Sequence, residues 1–263
     1  MAKVYDLNGN VLEEIELPNI FNTPYRPDII RRAVLAIQSA RRQPYGTDPL
    51  AGKRSSAHYH GKRRYRFTMM NREMARMPRI HGKHAFYYAY RARVAPQTVK
   101  GRRAHPPKSE KIWLQSINKK ENKLAIKSAL ASSSNIDIVK LHGHKVDESP
   151  IIFVDEFENI KKTKLVKNLL KKVIPKEIER CEKKKVRSGK GKMRGRKYKK
   201  KKGPLIITSK NCELLKSAKK IPGIDVTTID NLNAELLAPG THAGRFLIFT
   251  KSALKKLIEK FGE

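Results

Sequence analysis

The chain has 263 residues and a formal net charge of +35, with pI ≈ 10.3, a balance that calls for a polyanionic partner: nucleic acid or an anionic surface. No apolar run approaches the roughly 18 residues of a membrane-spanning helix. The two cysteines, Cys181 and Cys212, form neither a CxxC pair nor a disulfide framework, which fits a reducing compartment.

The N-terminus MAKVYDLNGNVLEEIEL contains acids and no apolar h-region, so neither a signal nor a transit peptide is expected and the protein reads as cytosolic. Val4–Leu7 and Val11–Leu17 flank Asn8-Gly9-Asn10, a hairpin signal. Pro27 and Asp28 then open a helix whose apolar face is Ile30, Ala33, Val34 and Ile37, and Pro44 stops it.

From Tyr45 to Pro107 the pattern changes. These residues hold fifteen bases against two acids (Asp48 and Glu73), a net of +13, with Leu50, Ile80, Val94 and Val99 as the branched aliphatics. Tyr45, Tyr59, Tyr65, Phe67, Phe86, Tyr87, Tyr88 and Tyr90 interleave with the bases, and five of the chain's 8 histidines lie here. So little apolar material cannot offset the entropy of ordering the backbone, and the stretch is expected to lack a compact fold of its own. Cations pair with phosphates and flat rings with nucleobase faces, so the stretch reads as an arm that becomes ordered inside RNA. Arg54, Lys62, Arg63, Arg64, Arg66, Arg79, Lys83, Arg91 and Arg93 are its candidate RNA-binding residues. Met69, Met70, Met74 and Met77 sit near helical spacing and predict a short amphipathic turn rather than a core stripe.

Past Pro106-Pro107, helical patterning is expected from Ser109 as N-cap through Ile112, Trp113, Leu114 and Ile117. A second start follows at Asn118–Glu121, with capping-box spacing. Short apolar strands at Ile151–Val154, Leu205–Thr208, Val226–Ile229 and Phe246–Phe249 then alternate with helix faces. Those faces are Leu165, Val166, Leu169, Leu170 and Val173; Leu214, Leu215, Ala218 and Ile221; a short helix at Glu235–Leu237; and Leu254, Leu257, Ile258 and Phe261. Such alternation predicts an α/β fold in three layers: a mainly parallel Rossmann-like sheet with helices on both faces, plus the long extended internal loop. Residues 1–44 and 108–263 would form the globular domain, with residues 45–107 as the RNA-binding arm. Within the globular part, residues 183–203 carry thirteen bases and no acid, a basic loop with Arg187, Lys190, Lys192 and Lys199 as candidate RNA contacts.

Catalytic signatures are missing. None of the strands runs into GxGxxG and no Walker A sequence exists, so no nucleotide cofactor is expected. The histidine pairs His58/His60, His81/His84 and His142/His144 lack a third ligand at metal spacing, so no metal is expected. Asp155, Glu156 and Glu158 follow an apolar strand, where α/β enzymes put catalytic groups. With no second acidic cluster, they are read as favouring the N-terminus of the next helix.

The blocks MPRIHG at 77–82, VKGRRAHPPKSEK at 99–111, RGRKY at 194–198, LAPG at 237–240 and GRF at 244–246, in this order, resemble the large-subunit ribosomal protein four family in its archaeal form. The resemblance covers nearly the whole chain. It implies an α/β domain on the outside of the large subunit and a loop threading through ribosomal RNA to the wall of the nascent-peptide exit tunnel. By the same resemblance the tip lies near Met77–Arg93, with Met77, Pro78, Arg79, Ile80, His81, Gly82, Phe86 and Tyr87 facing the tunnel. Lys100, Arg102, Arg103 and Lys108, and Arg194, Arg196 and Lys197, would contact RNA. The implied partners are large-subunit ribosomal RNA, neighbouring ribosomal proteins and the nascent polypeptide. The sequence departs from the family at Lys62–Met77, which is bulkier and more basic than a Gly-rich run, and at Phe86–Tyr90, where aromatics stand near the tip. The expected function is structural rather than enzymatic; the alternatives are an RNA-processing methyltransferase or nuclease, or a chromatin-type polyanion binder.

Overall fold

The computed structural model describes residues 2–81 and 86–262. The chain divides into two compact units, Met1–Arg41 with Gln115–Glu263, and Arg42–Leu114.

The first unit begins with β1 (Ala2–Tyr5) and β2 (Val11–Ile15), an antiparallel pair turned through Gly9 at φ +88°. Helix α1 (Pro27–Ala40) starts on its proline and buries Ile30, Ala33 and Val34. It ends at Ala40, before Pro44 is reached, and the hydroxyl of its Ser39 accepts from the Gln115 amide (2.9 Å) where the chain re-enters. There follow α2 (Lys119–Ser134), α3 (Ile136–Leu141), β3 (Ile151–Phe153), α4 (Thr163–Val173) and α5 (Pro175–Glu182). A two-stranded ribbon comes next, β4 (Lys185–Val186) antiparallel to β5 (Tyr198–Lys199). The unit closes with β6 (Leu205–Thr208), α6 (Glu213–Ala218), β7 (Asp225–Thr228), α7 (Ala234–Leu237), β8 (Leu247–Thr250) and α8 (Lys251–Phe261).

Six strands lie in the order β2-β1-β3-β8-β6-β7, all neighbours parallel except β1 and β2. The period-2 alternation of a strand divides the core. Leu247 and Phe249 of β8, Leu205 and Ile207 of β6 and Ile152 of β3 meet α1, α2, α7 and α8 on one face. Phe246 and Ile248, Ile206, and Ile151 with Phe153 meet α4, α5 and α6 on the other. This is the expected α/β layering. Among the described residues no helix is long and apolar enough to cross a membrane.

Local expectations fail where side chains found other partners. Residues 109–117 form no helix. Ile112 and Leu114 are 85% and 61% exposed, because three consecutive apolar residues would point to three sides of a helix with nothing to cover them. Asn118 sits at the N-cap of α2 but its side chain caps nothing, and Glu121 pairs with Arg32 instead of closing a capping box. Ile258 is 48% exposed; the buried stripe of α8 runs through Ala253, Leu254, Leu257 and Phe261, and Ile258 clears its edge. Ile221 lies past the end of α6 yet is buried in the turn that follows. The short helices α3 and α5 had no apolar repeat long enough to announce them.

Candidate nucleic-acid interface

Within the unit Arg42–Leu114 the two chain segments meet at a closed neck. The Thr47 amide donates to Pro107 O (3.2 Å), and the rings of Tyr45 and Trp113 stack 6.1 Å apart at 16°. Arg42 lies 3.8 Å over the indole and Lys111 4.4 Å from it, so the tryptophan assigned to a helix face is instead the centre of a cation-ring stack. Further in, Gly101 is pressed against backbone, and a Cβ there would meet Ala95 O at 2.0 Å. That close crossing explains the glycine in KGRRAHPPK.

The expectation that this stretch has no compact fold of its own is corrected. His58 bridges Arg79 and Arg79 bridges Ala92 in antiparallel fashion, supported by Arg79 N to His58 O (3.2 Å), Ile80 N to Arg91 O (3.0 Å) and Arg93 N to Pro78 O (3.0 Å). The order comes from backbone pairing and cation-ring contacts rather than aliphatic burial, which is why counting aliphatics missed it. Arg72 over Tyr90, Lys62 over Tyr65 and Arg66 over Phe67 lie 5.4, 4.7 and 4.9 Å from the ring centroids. The methionines make no helix; Met69 alone is fully buried, Met70 and Met77 are half-buried and Met74 is exposed. Arg64, Phe67, Asn71, Tyr90, Val94 and Lys100 hold positive φ, a conformation costing about 1–2 kcal/mol per ordinary L-residue.

The candidate cations fall into two groups. Arg79 donates to Tyr90 O (2.9 Å) and Ala75 O (3.0 Å), and Arg93 is buried and donates to Val99 O. Both guanidinium groups thus shape the unit itself. Lys62, Arg63, Arg64, Arg66, Arg91, Lys100, Arg103 and Lys108 are exposed, Arg102 is half-buried, and Arg54 is exposed with an ion pair to Asp48. Of the expected tunnel-facing residues, Met77, Pro78, Ile80 and His81 are half-buried, Tyr87 is 66% exposed, and Phe86 opens a 3-10 turn, Phe86–Tyr88. Gly82, Lys83 and His84 lie outside the described residues.

The structure brings together what spacing did not. His81 joins His58 and His60, so one ring nitrogen from each of the three lies within 4.8 Å of the others. The pairwise reading of these histidines therefore lacked its third member only in sequence.

In the other unit, residues 183–203 are a hairpin rather than a plain loop, with a 3-10 turn at Lys190–Arg194 and Gly195 at φ +74° as its left-handed stop. Lys190, Lys192, Arg194, Arg196, Lys197 and Lys199 are exposed, and Arg187, half-buried, donates to Arg196 O (3.1 Å). Among the described residues, Lys202 alone of these thirteen bases lies within ion-pair distance of an acid, Asp225. An open groove at the hairpin's root is lined by Lys183, Lys185, Lys199, Lys201 and Lys202 beside His142 and His242.

That root is fastened by buried charges which sequence reading passed over. Arg180 donates to Lys202 O (2.6 Å) and to both oxygens of Glu177; Glu177 also accepts from His144 Nδ1 (2.6 Å) and the Lys145 amide (3.0 Å). Arg245, 1% exposed, donates to Gly203 O (2.9 Å), Leu236 O (2.9 Å) and Asp225 (2.7 Å). Both residues at the hairpin's exit, Lys202 and Gly203, are thus gripped through their carbonyls by guanidinium groups, a use suited to Arg rather than Lys. No periodicity betrays such a cluster; its one sequence signal is an acid and an arginine spaced i, i+3 on a short helix.

The acidic run after β3 is accounted for. Glu158 is buried and accepts from the Ser209 amide (2.9 Å) and the Thr250 hydroxyl (2.7 Å), tying β6 and β8 together at their carboxyl ends. Asp155 accepts from the Ser252 amide (2.7 Å), capping α8 rather than the helix next in sequence. Glu156 is exposed. Burial pushes the Cys181 thiol up to about 11, and burial likewise raises Cys212, so neither sulfur has thiolate character.

Comparison with known proteins bears on the whole chain. Residues 15–260 match the model of the ribosomal protein L4/L1 family. Large ribosomal subunit protein uL4 of Methanosphaera stadtmanae is 46% identical over 99% of this chain and 98% of its own length. The uL4 proteins of Nanoarchaeum equitans and Archaeoglobus fulgidus are 47% and 45% identical, each over 98% of this chain and 97–98% of their own.

Proposed function

The chain belongs to the ribosomal protein L4/L1 family, a structural constituent of the ribosome, and from that premise we propose that it binds large-subunit ribosomal RNA through two cationic surfaces and lines the nascent-peptide exit tunnel with one of them. The observation that carries the reading is the exposure of both basic segments with almost no acid to neutralise them, while the buried Arg180 and Arg245 of the body each face a carboxylate. Phosphates supply the missing anions. The exposed arginines of the hairpin and of residues 54–108 contact the RNA backbone, and Tyr59, Tyr65 and Tyr87 offer ring faces to unstacked bases. RNA contacts also offset the left-handed residues of the arm, whose strain would otherwise weigh on a unit with few aliphatics. The protein acts by structure rather than by catalysis. Its partners are ribosomal RNA, adjoining proteins of the subunit and the peptide in transit, and it resides in cytoplasmic ribosomes.

Two measurements test this. Binding of the full chain to a large-subunit ribosomal RNA fragment is compared with binding to duplex DNA of equal length across a salt series; equal affinities would overturn the RNA reading. A photocrosslinking side chain at Tyr87, in ribosomes carrying a stalled nascent chain, should label the peptide, whereas one at exposed Leu165 should not. No label at Tyr87 or at Ile80 would remove the tunnel from the proposal.

A further inference from the structure

We propose that His58, His60 and His81 form a binding site for a single divalent transition-metal ion of the zinc type, which staples two strands of the Arg42–Leu114 unit. The inference stands apart from the RNA reading, because it rests on geometry inside this one unit.

Alternation along an extended segment puts His58 and His60 on the same side, two residues apart. The antiparallel bridge from His58 to Arg79 then delivers His81 to them from the second strand. The ring centroids are 4.3 Å apart for His58 and His60, 4.0 Å for His58 and His81, and 4.4 Å for His60 and His81. Two of the rings are held by carbonyls from behind. His58 Nδ1 lies 3.0 Å from Ser56 O and His81 Nδ1 lies 3.1 Å from Arg79 O. A carbonyl only accepts, so these Nδ1 atoms carry the proton and each Nε2 keeps its lone pair. Backbone-supported imidazoles of this kind are the usual outer support of a metal ligand.

The Nε2 atoms of His60 and His81 are 2.8 Å apart, close enough to share one proton. A tetrahedral ion with metal–nitrogen bonds of about 2.0–2.1 Å needs about 3.3 Å between ligand nitrogens. Replacing the shared proton therefore opens the pair by about half an ångström, within the reach of small ring rotations. Three imidazoles and no carboxylate select a borderline ion and reject hard ones such as Mg²⁺. With three protein ligands the fourth position is left for water on the side of exposed His58. A unit with few aliphatics gains what small domains commonly gain from a metal: a cross-link between segments distant in sequence.

The test uses the full chain at pH 7.5 and Co²⁺ as the probe, followed by its visible absorption, with the body monitored by far-UV circular dichroism. One Co²⁺ per chain should produce the intense band of a tetrahedral site. Equimolar Zn²⁺ should abolish the band, and millimolar Mg²⁺ should leave it unchanged. His60→Gln and His81→Gln should each weaken binding by about 100-fold or more, whereas His105→Gln, a change in an exposed histidine of the same unit, should not. Absence of the band in the unmutated chain overturns the proposal whatever the variants do. So does a stoichiometry of several ions per chain, or a band that survives both His60→Gln and His81→Gln.

Discussion

Replacing Glu177 by Gln tests whether the root of the basic hairpin is held by buried charge. The carboxylate takes donors from His144 Nδ1, the Lys145 amide, and Arg180 Nε and Nη2, at 2.5–3.0 Å. Burial alone would raise its pKa, but hydrogen bonds from His144, Arg180 and the Lys145 amide hold it at about 2, against the usual 4.5. At about 1.4 kcal/mol per pKa unit, that depression is worth about 3 kcal/mol. Since the folded-state value is the lower one, the contribution is complete above about pH 5 and is lost as the pH falls from there toward 2. Gln keeps the shape yet leaves the Arg180 guanidinium buried without its countercharge, so at pH 7 the variant should be about 3 kcal/mol less stable in urea unfolding at unchanged m. The gap should narrow steadily between about pH 5 and pH 3, as the native protein loses the charge the variant never had. Arg180 also holds the Lys202 carbonyl, so amide exchange in Lys185–Lys199 should quicken while β6 and β8 stay protected. A gap under about 0.5 kcal/mol at pH 7, or one that does not change with pH, would show that the cluster does not fasten the hairpin electrostatically.

Substituting Gln at Arg187, Arg194 and Arg196 together should leave the melting temperature within about 1 °C but lower the salt slope of ribosomal RNA binding by about 2 to 3, near 0.7–0.9 for each phosphate no longer neutralised; an unchanged slope would place the hairpin outside the interface. Gly101→Ala drives a Cβ into Ala95 O and should cost the arm about 1–3 kcal/mol, seen as faster protease cleavage within residues 42–114. Because Thr47 and Pro107 are hydrogen-bonded, residues 50–104 can be replaced by a short Gly-Ser turn. The shortened protein should still unfold cooperatively, because the sheet and the helices that cover it lie outside the replaced residues. It should also fail to sediment with large subunits in high salt. Loss of cooperative unfolding would mean that the body depends on the arm.

What the linear sequence determines by itself is the layered body. Four-residue apolar strands such as LIIT and LIFT can satisfy both faces of a sheet in few ways, and the spacing of Leu254, Leu257 and Phe261 leaves a helix one side to bury. Charge is equally local, so two basic segments were legible as such from residue counts alone. Tertiary structure alone decided the rest. It set Trp113 against Tyr45, turned Arg79 and Arg93 inward, brought Glu177, Arg180 and Arg245 to the hairpin's root and gathered His58, His60 and His81. The reason lies in range: hydrophobic periodicity repeats along the chain and can be read from it, whereas a hydrogen bond or a ring contact between distant residues leaves no repeat until the backbone brings them within a few ångströms.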